Sequence, residues 1–248
     1  MRTGHSSGDL ILKRSDGSKI RLQVDAARIG PDEFLGFCKD LSHRHAMESQ
    51  LRDSVSLLAA ITSAADLIIT AGTWRDPIAR VLSCIATAAR ASRACLFTSS
   101  RREDNSWDLT LQQEWIYASL ESCCGRVPTH MLHLPTLGLQ RWIDAFTAHH
   151  TVIVRPEMTP VDERTALNAL GSASSVMVPI RVAGAWWGIL TLDQCDKDRE
   201  WTDQEAHGLR IIANILGTTI EREETQQALV QRSEELFVSR NDLERQTA

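Results

Sequence analysis

Apolar and polar side chains alternate in short runs over the first forty residues, the period of half-buried strands. LILKRSDGSKIRLQVDAARI holds two such runs around Asp16-Gly17, a dipeptide suited to a hairpin turn. FLGFCKDL, after Gly30-Pro31, is a third. Three strands without a helix cannot close a core alone, so a segment is expected to precede Met1. From Ser42 the period lengthens: Leu51, Val55, Leu58 and Ala65 keep a three-and-four spacing that predicts a helix. Asp76-Pro77 opens another, with Asp76 as cap, Pro77 at the first helical position, and Ile78, Val81, Leu82, Ile85 and Ala89 as its buried stripe.

ACLFTSS and WDLTLQQEWI predict two strands around the charged turn RREDN. Ser119 to Gly138, punctuated by Pro and Gly, reads as a long loop of the kind that covers something. GLQRWIDAFTAHH predicts a short helix, TVIVR a short strand, and DERTALNALG a helix stopped by Gly171. SSVMVPIRV and AWWGILTLD form a hairpin across Ala183-Gly184. The last helix starts at a capping box, Thr202 with Glu205. Its first half, LRIIANILGTTI, is apolar nearly all round and demands burial. Its second half is charged, with Leu229, Leu236 and Leu243 at intervals of seven, and Gln226, Ser233 and Arg240 weaken the alternate seam positions. At 1.5 Å per residue such a helix is about 60 Å long, and it is expected to protrude and pair with a copy of itself.

Composition narrows the function. Of the 248 residues 43% are hydrophobic and 24% charged, the balance of a globular chain. A net charge of -5, a pI near 5.9 and no basic stripe interleaved with aromatics disfavour nucleic acid. MRTGHSSGDL lacks the apolar stretch of a signal peptide, and no apolar run is expected to span a membrane. Six cysteines, without a C-x-x-C pair, read as reduced thiols. A cytoplasmic chain, or the cytoplasmic piece of a larger one, is expected.

VPIRVAGAWWGILTLDQCDKDREWTDQEAHGLRIIANILGTTIE resembles the closing third of a GAF domain. The matching features are V-P, a hairpin Gly, a second Gly four residues on, an alternating strand, an aromatic before T-D-x-E, and a long apolar helix. The helix at 77–91 followed by ASRACLF is similar to that family's opening, and the likeness runs from Leu57 to Glu223. It implies an α+β fold layered α/β/α, an antiparallel sheet flanked by helices, with long N- and C-terminal helices forming a coiled-coil extension. KRSDGSKIRLQV with FLGFCKDLSHRHAMESQL resembles the last three strands and exit helix of a PAS domain. QRSEELFVSRNDLERQTA resembles the coiled linker that enters the dimerisation helices of a sensor histidine kinase. The organisation expected is a PAS-like remnant at 1–42, a connecting helix at 43–56, a GAF domain at 57–223, and a coiled-coil linker at 224–248 leading to an output domain.

Strand neighbours face opposite sides, so Trp187, Ile189, Thr191 and Asp193 are expected on one face and Trp186 on the other. Asp193, at the end of an apolar strand, needs a partner, either a ligand or an arginine such as Arg181. Trp115, Trp142, Trp187 and Asp193 are the candidate ligand contacts, although tryptophan serves core packing more often. His43 and His45 lack the acidic residue and proline of a phosphoacceptor histidine, and their place after a PAS-like strand accounts for them. Cys123, Cys124, His130 and His133 lack zinc spacing, and Gly125 follows Cys124 where bilin-attaching GAF domains carry histidine. His149 and His150 are expected to cap a helix C-terminus through its dipole. Some small GAF proteins reduce free methionine sulfoxide with paired cysteines, but Cys84 falls in a helix and Cys95 on a strand, neither in the setting of a low-pKa thiol. No G-x-S-x-G, P-loop or H-E-x-x-H is present. The expectation is a non-catalytic sensory module of a two-component signalling protein, with an unnamed small-molecule ligand, dimeric through Leu229, Leu236 and Leu243. A free methionine sulfoxide reductase or a ligand-free dimerisation module is the alternative.

Overall fold

The hairpin at Asp16-Gly17 joins β1 (His5–Lys13) to β2 (Lys19–Arg28), with Leu10 opposite Leu22 and Gly17 at φ 85°. β3 (Phe34–Asp40) pairs with β2 in turn, Val24 opposite Cys38. α1 (Ser42–Ala71) follows, its first N–H held by Asp40 Oδ1 at 2.8 Å. The computed structural model describes residues 5–17, 19–30, 33–117, 131–155, 159–196 and 199–246. The chain divides into two units, residues 1–55 and 56–248.

Among the described residues, the second unit is built on a six-stranded antiparallel sheet of order β6-β5-β4-β9-β8-β7. Its strands are β4 (Arg93–Arg101), β5 (Trp107–Ile116), β6 (Met131–His133), β7 (Val152–Val154), β8 (Ser174–Val182) and β9 (Ala185–Gln194). One face packs on α1, α2 (Ile78–Ala88) and α5 (Asp203–Gln246), around Ile68, Leu82, Leu96, Val178, Leu190 and Ile212. The other packs on α3 (Gln140–Thr147) and α4 (Val161–Ala169), around Leu109, Trp142, Phe146, Leu167, Met177 and Ile189. Helices therefore cover both faces of one antiparallel sheet, the layered α+β arrangement.

Local signals act as their chemistry dictates. Ala183 and Gly184 both take positive φ, 48° and 82°, as a two-residue hairpin turn requires. Thr202 and Glu205 form the reciprocal capping box, with Thr202 N–H donating to Glu205 at 2.9 Å and Glu205 N–H to Thr202 Oγ1 at 3.2 Å. Gly217 lets α5 lie directly on β8, since a Cβ there would fall on the carbonyl oxygen of Arg181.

Four expectations change. α1 buries Leu57, Ala60, Ile61, Ala64 and Ile68, leaving Leu51, Val55 and Leu58 exposed, because the helix carries two apolar stripes and its neighbours take the other. α2 starts at Ile78 with Pro77 as its cap residue and no side-chain capping bond, so Asp76 lies one residue too early. The far end of the long loop is not loop: Met131–His133 pair with β5, and Pro135–Leu137 make a 3₁₀ turn. α1 is also long and apolar enough to cross a membrane by length and composition alone. Its Ala, Ser and Thr break up the apolar run, and five of its apolar side chains lie in the core. Beyond Ile220 α5 leaves the core, with Leu229 and Leu236 61–66% exposed; Leu243 is within the helix, its side chain outside the described residues.

Candidate functional site

Adjacent strands bring alternate residues to one face. Across β4 and β9, Arg93 stands opposite Asp193, Cys95 opposite Thr191 and Phe97 opposite Ile189. All six line a cavity of about 30 Å³ between the sheet and the α3–α4 layer. Leu109 and Met177 extend the sheet wall, Trp142 comes from α3, Leu167 and Leu170 from α4 and its end, and Leu134, Leu137 and Leu139 from the turn before α3. The walls are almost wholly apolar.

One end is polar and buried. Arg93 Nε donates to Asp193 Oδ2 at 2.9 Å, Nη1 to the Leu170 carbonyl at 2.8 Å, and Nη2 to Ser172 Oγ at 2.7 Å. Ser175 Oγ donates to the other oxygen of Asp193 at 2.5 Å. Arg93 and Asp193 are 3% and 5% exposed, so each charge depends on the other. The same guanidinium fastens the C-terminal end of α4 over the cavity. The N-terminal end is fastened by Arg141 of α3, which grips Glu163 through two bonds of 2.6 and 2.5 Å. Burial raises the Glu163 pKa, but Arg141 outweighs it and holds the carboxyl below the usual glutamate value. The Trp142 indole N–H also helps to lower it, without closing a hydrogen bond. Thr191 Oγ1, buried beside the ion pair, has no partner among the described residues.

Of the four residues proposed from sequence, Trp142 and Asp193 meet at this cavity. Trp115 and Trp187 pack on the opposite face, against the core under α1, α2 and α5. For Trp187 the cause is a β-bulge: Ile180 pairs with Gly188 but Arg181 pairs with Trp186, so β9 carries one extra residue and its alternation flips. Trp186 therefore joins the face of Ile189, stacking with Trp107 and Phe146 at 4.7 and 5.3 Å, while Trp187 meets Trp74 edge-on at 5.4 Å. The partner of Asp193 is Arg93, one hundred residues away, and not Arg181. Sequence reasoning missed Arg93, Ser172, Ser175 and Thr191; an arginine opening the apolar strand ASRACLF was the available signal.

Other candidates separate. Cys84 Sγ points to the Ala60 carbonyl on α1, whereas Cys95 faces the cavity across the sheet, so they form no redox pair. His133 hydrogen-bonds buried Asp108 at 2.7 Å; Cys123, Cys124 and His130 lie outside the described residues. His149 ends α3 through its backbone, at φ 62° with its N–H on the Phe146 carbonyl. Burial, then the charge of Arg181, push its pKa below the usual histidine value, so it does not serve the helix end as a cation. No group of three metal-ligating side chains occurs among the described residues.

Residues 76–220, more than half the chain, match the family model of the GAF domain. The chain belongs to the GAF domain family. It is 23% identical over 225 residues to the methanogenesis regulatory histidine kinase FilI of Methanothrix harundinacea (strain 6Ac), covering 88% of this chain and 24% of that protein. It thus spans about a quarter of that relative's length. Among solved structures, the phycocyanobilin-bound GAF domain of a cyanobacterial phytochrome aligns at 16% identity and TM-score 0.55, over 68% of this chain and 96% of that one. The chromophore-binding domain of Stigmatella aurantiaca bacteriophytochrome, in the Pr state, aligns at 14% identity and TM-score 0.53, over 86% and 73%. At these identities the likeness is one of fold. In this GAF domain a single sheet carries the cavity on one face and the long exit helix on the other.

Proposed function

We propose that this chain is the sensory module of a signal-transduction protein of the sensor histidine kinase kind, in which a small molecule in the GAF cavity shifts α5. One observation carries the proposal. On β8, Ser175 and Met177 reach the cavity while Val176 and Val178 pack under the helices; on β9, Thr191 and Asp193 reach it while Leu190 and Leu192 face the helices. Any ligand that moves those strands moves the seat of α5, which at Gly217 rests on backbone without an intervening side chain. The helix then continues past the domain as a lever toward an output domain, paired with a second copy through Leu229, Leu236 and Leu243. The PAS-like reading of the first unit and a cytoplasmic setting belong to the same proposal.

A tetrapyrrole like that of the phycocyanobilin-bound relative does not fit the space that the described residues leave. Cofactor pockets run to roughly 300–1,000 Å³, against the 30 Å³ of this cavity. A smaller molecule asks for less displacement of the walls. The test is to fuse the chain through α5 to a histidine kinase core and follow autophosphorylation. Leu167→Phe, which fills the cavity from α4, is expected to change the rate severalfold with the melting temperature retained. Equal rates for wild type and a folded Leu167→Phe variant would refute coupling between cavity and helix.

A further inference from the structure

We infer that the cavity takes a neutral, mainly apolar molecule bearing one hydrogen-bonding oxygen or nitrogen, and that Thr191 Oγ1 is the group that holds it. This rests on the small-molecule sensor proposed above and adds the class of ligand.

Charge comes first. The only ionic groups lining the described cavity, Arg93 and Asp193, neutralise each other, and both carboxylate oxygens already accept hydrogen bonds. An anion entering this end would have to take Arg93 from Asp193, and a cation would have to take Asp193 from Arg93. Either exchange breaks a desolvated ion pair, a cost of several kcal/mol. A neutral molecule meets no such penalty.

Polarity comes next. Thr191 is 3% exposed, lines the cavity two residues before Asp193 on the same face of β9, and its hydroxyl has no partner among the described residues. Buried hydroxyls are normally satisfied, and one left open at the end of an apolar chamber is a vacant hydrogen-bonding position. A hydroxyl both donates and accepts, so an alcohol, phenol, ketone or amide each suits it. The remaining walls, Phe97, Leu109, Leu134, Trp142, Met177 and Ile189, offer apolar contact for the rest of the molecule.

Size comes last. A void of 30 Å³ has room for about two water molecules. A ligand of several heavy atoms therefore enters by displacing Leu167 and Leu170, on the helix that Arg93 fastens at one end.

The experiment titrates the full chain with phenol and 1-butanol, with benzoate and butanoate, and with toluene as an apolar control, following Met177 and leucine methyl resonances. Phenol and butanol are expected to shift the cavity methyls, the carboxylates to bind at least about tenfold more weakly, and Thr191→Val to weaken the neutral probes by about tenfold. Toluene affinity should be unchanged by Thr191→Val, and Thr191→Ser, which keeps the hydroxyl, should restore phenol binding. Carboxylates binding as well as phenol, or a folded Thr191→Val variant with unchanged phenol affinity, would overturn the assignment of class while leaving a ligand site in place. No probe binding the wild type would overturn both.

Discussion

Arg93 and Asp193 stand opposite each other on β4 and β9 and close a buried ion pair of 2.9 Å at the end of the cavity. The pair joins three segments, because the same guanidinium also holds the Leu170 carbonyl and Ser172. Removing Asp193 takes the paired carboxylate from a buried guanidinium, so Asp193→Ala is expected to cost about 3–5 kcal/mol in denaturant unfolding. The double variant Arg93→Met with Asp193→Leu should recover most of that loss, since no charge is stranded. Equal destabilisation by the single and double variants would mean that packing, and not charge, fixes this end.

What the sequence makes legible here is local. The hairpin at Ala183-Gly184, the Thr202–Glu205 capping box and the apolar first half of α5 are each specified by neighbouring residues, and all three form. What it conceals is set by tertiary pairing. Counting alternate residues from Asp193 back to Trp187 puts both on one face; the bulge at Trp186–Gly188, imposed by the pairing with β8, reverses that. The Arg93 partner is a hundred residues from Asp193, so no spacing rule finds it. On α1 two apolar stripes are present, and only the packing of α2 and α5 decides that Ile61 and Ile68 are buried while Leu58 is not.

Two glycines separate steric from conformational demands. At Gly217 a methyl group would fall on the Arg181 carbonyl oxygen, a backbone atom that cannot swing aside. Gly217→Ala should therefore push α5 off β8, with a loss of about 1–3 kcal/mol, the range of overpacked cores. Gly184→Ala meets no atom within 4 Å and suffers only from φ 82°, at a cost of about 1–2 kcal/mol. Hydrogen exchange should tell them apart: Gly217→Ala speeds exchange along α5 from Leu209 to Ile220, and Gly184→Ala does not. Faster α5 exchange in both variants would count against direct seating of the helix on β8.

Glu163 gives the fold an acid limit. Its folded-state pKa lies below the usual 4.5 because Arg141 outweighs the effect of burial. A carboxyl whose pKa is depressed on folding stabilises the protein fully above the unfolded value. That contribution is lost as pH falls from about 4.5 through the lower folded value. Wild-type stability should thus drop over that window more steeply than that of Glu163→Gln, which is less stable at neutral pH but loses less on acidification. Parallel acid profiles for the two proteins would show that the α3–α4 ion pair is not linked to folding.

The exit helix carries the remaining test. Leu229 and Leu236 project from α5 at 66% and 61% exposure, seven residues apart, on a segment that makes no part of the buried core. An apolar seam of that period is stabilised by a matching seam on a second helix, where each leucine sits among four side chains of its partner. The groove lined by Ile69, Ile215 and Thr218 presents further apolar surface where α1 ends beside α5. Sedimentation is therefore expected to give a dimer for the wild type. Leu229→Glu with Leu236→Glu should give a monomer whose GAF core melts as before, because neither side chain touches it. A wild-type monomer at high concentration, or a charged double variant that still dimerises, would remove the seam from the mechanism and leave α5 acting within one chain.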